Sequence, residues 1–148
     1  FAQPEALVEI LHSYPPLYEQ GLIARFLWRV GLDAPDADSA RAFTVSTIEA
    51  LLKSSVLIDR FFFDWRRGRN DPALYPGDLW DKARAALASL NQRPGARGHA
   101  YWHGDDPCSM HIDEVETIWS AIAERYDWQP LADKVVAIRE MNVAHGRP

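Results

Sequence analysis

Three of the five histidines and the only cysteine of this 148-residue chain fall close together, as His99, His103, Cys108 and His111. Imidazole and thiolate are zinc ligands, and zinc takes four of them in a tetrahedron. Asp105, Asp106 and Asp113 are interspersed. The spacing His-x3-His-x4-Cys-x2-His follows no zinc pattern with a mechanical rationale, so the segment reads as a polar loop with solvated histidines and a small apolar cysteine. A second group, Asp113, Glu114 and Glu116, has the paired carboxylates that general acid–base chemistry uses. That role needs one of them buried in a cleft. At the start of a helix such acids have a simpler part, complementing the positive end of the dipole.

Arginines make the third group. Arg25 and Arg29 share an i, i+4 face, and Arg60, Arg66, Arg67 and Arg69 surround the run Phe61-Phe62-Phe63-Asp64-Trp65. Guanidinium groups grip phosphate bidentately, yet they also pair with acids such as Asp59 and Asp64. The aromatic run is able to line an apolar pocket, but aromatics at this density usually form core. Phosphate-binding GxxxxGK[ST], HExxH, GxSxG and the kinase HRD and DFG motifs are all missing. No residue is therefore assigned as catalytic, cofactor-binding or metal-binding.

The elements that must position these groups read as an all-α fold of six to seven helices around one core. Apolar residues recur at helical spacing and strand alternation is almost absent. The pattern predicts a first helix from Pro4, with Leu7, Val8, Ile10 and Leu11 on one side, ended by Pro15-Pro16. A second helix follows from Pro16 to Val30, with Leu22, Ile23, Phe26, Leu27 and Val30 as its stripe and Gly31 as C-cap. A third runs from an Asp38 or Ser39 cap to Lys53, burying Phe43, Ile48, Leu51 and Leu52. Ser54-Ser55 offers a break and a new cap, and the aromatic run reads as a fourth helix ending at Arg66, Arg67 and Gly68. After a loop over 68–77, Asp78 caps a fifth helix to Leu90. Residues 91–108 form a long irregular stretch, functional or mobile by its length. A sixth helix spans 112–126 with Val115, Ile118, Trp119 and Ile122 inward. Pro130 opens a seventh carrying Leu131, Val135, Ile138 and Met141, and the tail from His145 to Pro148 should fray.

Composition bounds the rest. With 16 Lys+Arg against 21 Asp+Glu the net charge is −5, the wrong sign for a nucleic-acid partner. No apolar run reaches the ~20 residues of a membrane span, and no signal peptide is legible. A single cysteine cannot form an internal disulfide, which fits the reducing cytoplasm. At 16.8 kDa a compact chain exposes roughly 7,600 Å², enough to leave a real core. The start at Phe1 rather than Met points to a piece of a longer protein.

Several runs carry a resemblance. Pro16-Leu-Tyr-Glu-Gln-Gly-Leu-Ile-Ala-Arg-Phe-Leu-Trp-Arg-Val-Gly-Leu32 is similar to a helix in the C-terminal third of the selenoprotein O family. Phe61-Phe-Phe-Asp-Trp65 is similar to the next segment of those proteins. Pro107-Cys-Ser-Met-His-Ile-Asp-Glu-Val-Glu-Thr-Ile-Trp119, then Ala123-Glu-Arg-Tyr-Asp-Trp128 and Pro130-Leu131, resembles the closing helices of a bacterial subgroup. The order is kept over nearly the whole chain. The resemblance implies the C-terminal helical part of a kinase-like pseudokinase that transfers AMP from ATP to protein hydroxyl groups. ATP and Mg²⁺ would then belong to the full-length parent, whose nucleotide-binding and catalytic residues lie upstream of the matched region. The implied partners are the upstream kinase-like lobes and the parent's protein substrates. Two departures stand out: Asp106-Pro107…Ser109-Met110-His111 replaces a common Asn-Pro…Arg-Asn-His run, and the end has no redox-active cysteine or selenocysteine. The alternative class is a free-standing helical interaction module, motivated by the surplus of aromatics.

Overall fold

Glycine and aspartate punctuate the helices much as their chemistry requires. The computed structural model describes residues 4–146, with side chains from Leu7 onward. Helix α1 (Pro4–Val30) stops at Gly31, whose φ of 74° is left-handed and whose added Cβ would meet Ala96 Cβ at 2.8 Å. Strand β1 (Leu32–Asp33) follows, and α2 (Ala37–Leu52) opens on Asp36, which accepts from Ser39 N at 2.7 Å. Helix α3 (Ile58–Arg67) ends on Gly68 in the left-handed region, with Arg66 and Arg67 in its last turn. Next come α4 (Asp78–Leu87), β2 (Asn91–Gln92), a 3-10 turn at Ala100–His103, α5 (Ile112–Arg125) and α6 (Gln129–His145). The all-α expectation is met by these six helices among the described residues.

The proline pair does not end a helix. Residues 4–30 form one continuous helix with Pro15 and Pro16 inside it. Proline removes two i→i−4 donors, but every side chain from Leu7 to Tyr18 is exposed, so water can serve the freed carbonyls. Three caps also shift. Asp36 caps α2 in place of Asp38 or Ser39, Leu57 precedes α3 with no side-chain cap bond, and Gly77 rather than Asp78 is the cap of α4. The 91–108 stretch is partly regular: β2 pairs antiparallel with β1, and Arg93 bridges to Asp33 at 2.8 Å.

Helix α3 is the hub. Six consecutive residues, Phe61 to Arg66, are buried, because neighbours surround the helix on every side. Phe61, Phe62 and Trp65 join Phe26, Phe43, Tyr75 and Trp80 in the main core. Phe63 points the other way, into a smaller cluster with Trp102 and Ala144. The expectation of one core therefore becomes two clusters on opposite sides of one helix. Ring pairs at 4.9–6.2 Å, mostly tilted or edge-on, knit the main cluster, and such pairs each add about 0.5–1.5 kcal/mol beyond burial. Thr44 and Thr47 are buried on α2, where their hydroxyls donate to Ala40 O and Phe43 O. Arg84 of α4 holds the 68–77 loop by donating to Asn70 O at 3.1 Å and Tyr75 O at 2.9 Å.

Away from α3 the expected burial holds only in part. Leu52 is 81% exposed and Trp119 is 65% exposed, while Val115 lies at the surface beside its buried neighbour Ile118. Helices α5 and α6 pack lightly on each other, tied by Lys134 to Glu114 at 2.6 Å. The total surface is 9918 Å², about a third above the roughly 7,600 Å² of a compact chain of this mass. His145, expected to fray, is instead the last residue of α6 and packs between Trp28 and Trp102. Arg147 and Pro148 lie outside the described residues.

Candidate functional site

The histidine and cysteine segment does not converge. His99 caps the 3-10 turn, its Nδ1 accepting from Tyr101 N at 3.1 Å, and His103 and His111 are exposed. Cys108 N donates to the Tyr101 hydroxyl at 2.9 Å. Among the described residues no three His, Cys, Asp or Glu side chains are placed to hold a metal ion. Asp113 and Glu114 occupy the first turn of α5, where they complement its dipole, and Glu116 is exposed.

Nor do the arginines share a phosphate site. Arg60 donates to Asp105 O at 2.8 Å and Asp106 Oδ1 at 2.7 Å, pinning the loop before α5 to α3. Its other contact, Asp64 Oδ1 at 3.6 Å, is too long for a hydrogen bond; Asp64 Oδ2 accepts from the Tyr75 hydroxyl at 3.0 Å. Arg67 lies over the Phe63 ring at 4.6 Å. Arg29 lies over Phe62 at 4.1 Å and reaches Asp59 at 3.4 Å.

Arg66 is the exception in kind. It is only 4% exposed and has no carboxylate partner among the described residues. Its guanidinium donates to Ala96 O at 2.9 Å, Trp28 O at 2.9 Å and Arg29 O at 3.2 Å, with longer contacts at 3.5 Å to Ala144 O and His145 O. It also covers the Trp102 ring at 4.5 Å. Four of those carbonyls lie in the last turns of α1 and α6, so one cation faces two negative dipole ends, and the fifth, Ala96 O, belongs to the turn after β2. Burial first, then Arg93, lowers its pKa to about 10, which leaves it charged at neutral pH.

His145 faces this cation, with Nδ1 3.4 Å from Arg66 Nη1. Burial, then Arg66 and Arg29, hold its pKa down to about 4 from 6.5. Below pH 6.5 the unfolded chain therefore takes up a proton that the fold refuses until about pH 4. Stability contributed by neutral His145 is complete above pH 6.5 and falls as the pH drops toward 4, by about 2 kcal/mol after allowance for the partly open ring. Urea melts at pH 7.5, 5.5 and 4.5 check this, and His145→Gln should flatten the difference between the first two.

The feature that the sequence did not display as a site is an apolar groove of about 470 Å³, where α1, the end of α2 and the start of α3 meet. Leu22, Phe26, Leu51, Leu52, Val56 and Ile58 line it, with Arg25 and Arg29 on the α1 wall. Spacings of four, three, four and four put Leu7, Leu11, Tyr14, Tyr18 and Leu22 on one face of α1, and that face runs into the groove. These five residues are 40–68% exposed. Monomeric proteins rarely expose a contiguous apolar patch beyond about 300–600 Å². The row and the groove together make one continuous apolar surface along α1. Comparison with protein-family models, curated proteins and solved structures finds no match.

Proposed function

We propose that this chain is the non-catalytic C-terminal helical region of a selenoprotein O-like pseudokinase, an enzyme that transfers AMP from ATP to protein hydroxyl groups. Its task is to support the upstream kinase-like lobes, with α1 and the adjoining groove as the contact. The observation that carries this reading is the bare apolar face of α1, continuous with a groove rimmed by Arg25 and Arg29. The excess of surface over a compact chain of equal mass supports it, as does the sequence resemblance. Nucleotide and Mg²⁺ are assigned to the upstream lobes, because the residues matched here contribute no phosphate loop or metal acids.

The test has two readouts. The reading frame upstream of Phe1 should encode kinase-like lobes, and the whole product should transfer AMP to protein in the presence of ATP and Mg²⁺. Residues 1–148 alone should show no micromolar ATP binding by calorimetry with Mg²⁺. A frame beginning at its own start codon just before Phe1 would transfer the same apolar face to the second reading, a free-standing helical interaction module. Micromolar ATP binding by the chain alone would overturn both.

A further inference from the structure

A second cleft, of about 480 Å³, opens on the opposite side of Arg29, between the end of α1 and the last turns of α6. Trp28 and Arg29 come from α1, and Ile138, Arg139, Met141 and Asn142 from α6. The volume lies in the range of small-molecule sites. Its electrostatics run against those of the chain. The protein carries a net charge of −5, yet this cleft gathers cations. Arg139 has no carboxylate partner among the described residues, Arg25 lies over the Trp28 ring at 5.6 Å, and Arg66 stands behind His145. Asp59, 3.4 Å from Arg29, is the one acid paired with this group among the described residues. The depressed pKa of His145, caused in part by Arg66 and Arg29, reports the same positive field at a neighbouring atom.

The walls narrow the choice of ligand. Ile138 and Met141 give an apolar surface, Asn142 gives an amide, and the Trp28 indole N–H, itself buried behind the wall, has no acceptor among the described residues. A bare inorganic anion would leave the apolar wall wet. We infer that this cleft binds a small organic anion, a carboxylate or phosphate ester with a compact apolar body, whose charged oxygens meet Arg139 and Arg29 while the body lies on Ile138 and Met141. The site shares Arg29 with the groove but otherwise uses the other flank of α1.

Phenyl phosphate is the probe, titrated into the ¹⁵N-labelled chain, with inorganic phosphate as the second arm. The Trp28 indole N–H resonance, identified through Trp28→Phe, should shift and saturate at submillimolar phenyl phosphate. Arg139→Gln should weaken binding about tenfold, the worth of one charge-assisted hydrogen bond. Arg139 is exposed, so the variant keeps its fold, and Arg69→Gln at a different cleft should bind as the parent does. Inorganic phosphate should bind more weakly than phenyl phosphate. An absent or unsaturable shift at Trp28, an unchanged titration for Arg139→Gln, or equal affinity for inorganic phosphate overturns the assignment.

Discussion

Arg66→Met should lower stability by about 4 kcal/mol and release the end of α6 from the body of the protein. Methionine fills similar volume but donates nothing, so the carbonyls of Arg29 and Ala96 lose this donor while still out of water, and Trp28 O keeps only Gly31 N. The longer contacts to Ala144 and His145 go with them, leaving the bond from Trp102 Nε1 to Ala144 O at 3.2 Å and the small cluster around Phe63 to hold the end of α6. Arg66→Lys should recover little, since a lysine ammonium cannot fork to acceptors on three separate segments. Urea denaturation measures the loss, and faster amide exchange over residues 140–146 locates it. A loss below about 1 kcal/mol for the methionine variant would remove Arg66 from its place as the hub of the fold.

The second large effect concerns association rather than folding. Leu11→Asp combined with Tyr18→Asp puts two charges on the bare face of α1. In residues 1–148 alone the pair should cost about 1 kcal/mol or less, the helix propensity of aspartate, because neither side chain is buried. Against the proposed upstream kinase-like lobes, supplied as a separate polypeptide, the same pair should weaken binding by about a hundredfold or more, as charges do at the centre of an apolar contact. Calorimetry of the two polypeptides gives the number. Equal affinity for the double variant and the parent would move the contact elsewhere.

Much of the architecture was legible because the helices carry local signals. Gly31 and Gly68 fall where a left-handed residue must stop a helix, and Phe26, Leu27 and Val30 form the buried part of a 3.6-residue stripe. The aromatic run was ambiguous by pattern, since a helix buried on all sides shows no stripe; its flanking arginines and glycine decided it. The proline pair misled because its cost depends on whether freed carbonyls are dry, and here they lie on an exposed stretch. Leu52 and Trp119 misled for a related reason: periodicity marks the face a helix is able to bury, not whether this chain supplies the neighbour.

The chemistry was less legible than the fold. His99, His103, Cys108 and His111 are close in sequence, but the 3-10 turn and the segment leading into α5 send them apart. Arg66 looked like one of four clustered arginines, and only the tertiary meeting of α1, α3, α6 and the turn after β2 gives it five backbone acceptors. The groove joins residues forty positions apart, from Leu22 to Phe62, and no local window contains it.

Hydrogen exchange at the backbone amides of residues 7–22, compared between the 148-residue chain and the longer polypeptide proposed to contain it, addresses the docking face most directly. In the chain alone this half of α1 has little tertiary cover beyond the ion pair from Glu19 to Arg41, and it should exchange with little protection. Covered by kinase-like lobes, the same amides should slow by about a hundredfold or more, with the Leu52 and Ile58 region slowing alongside. Identical exchange in both settings would contradict the account, for it would leave that apolar face as bare in the whole protein as it is here.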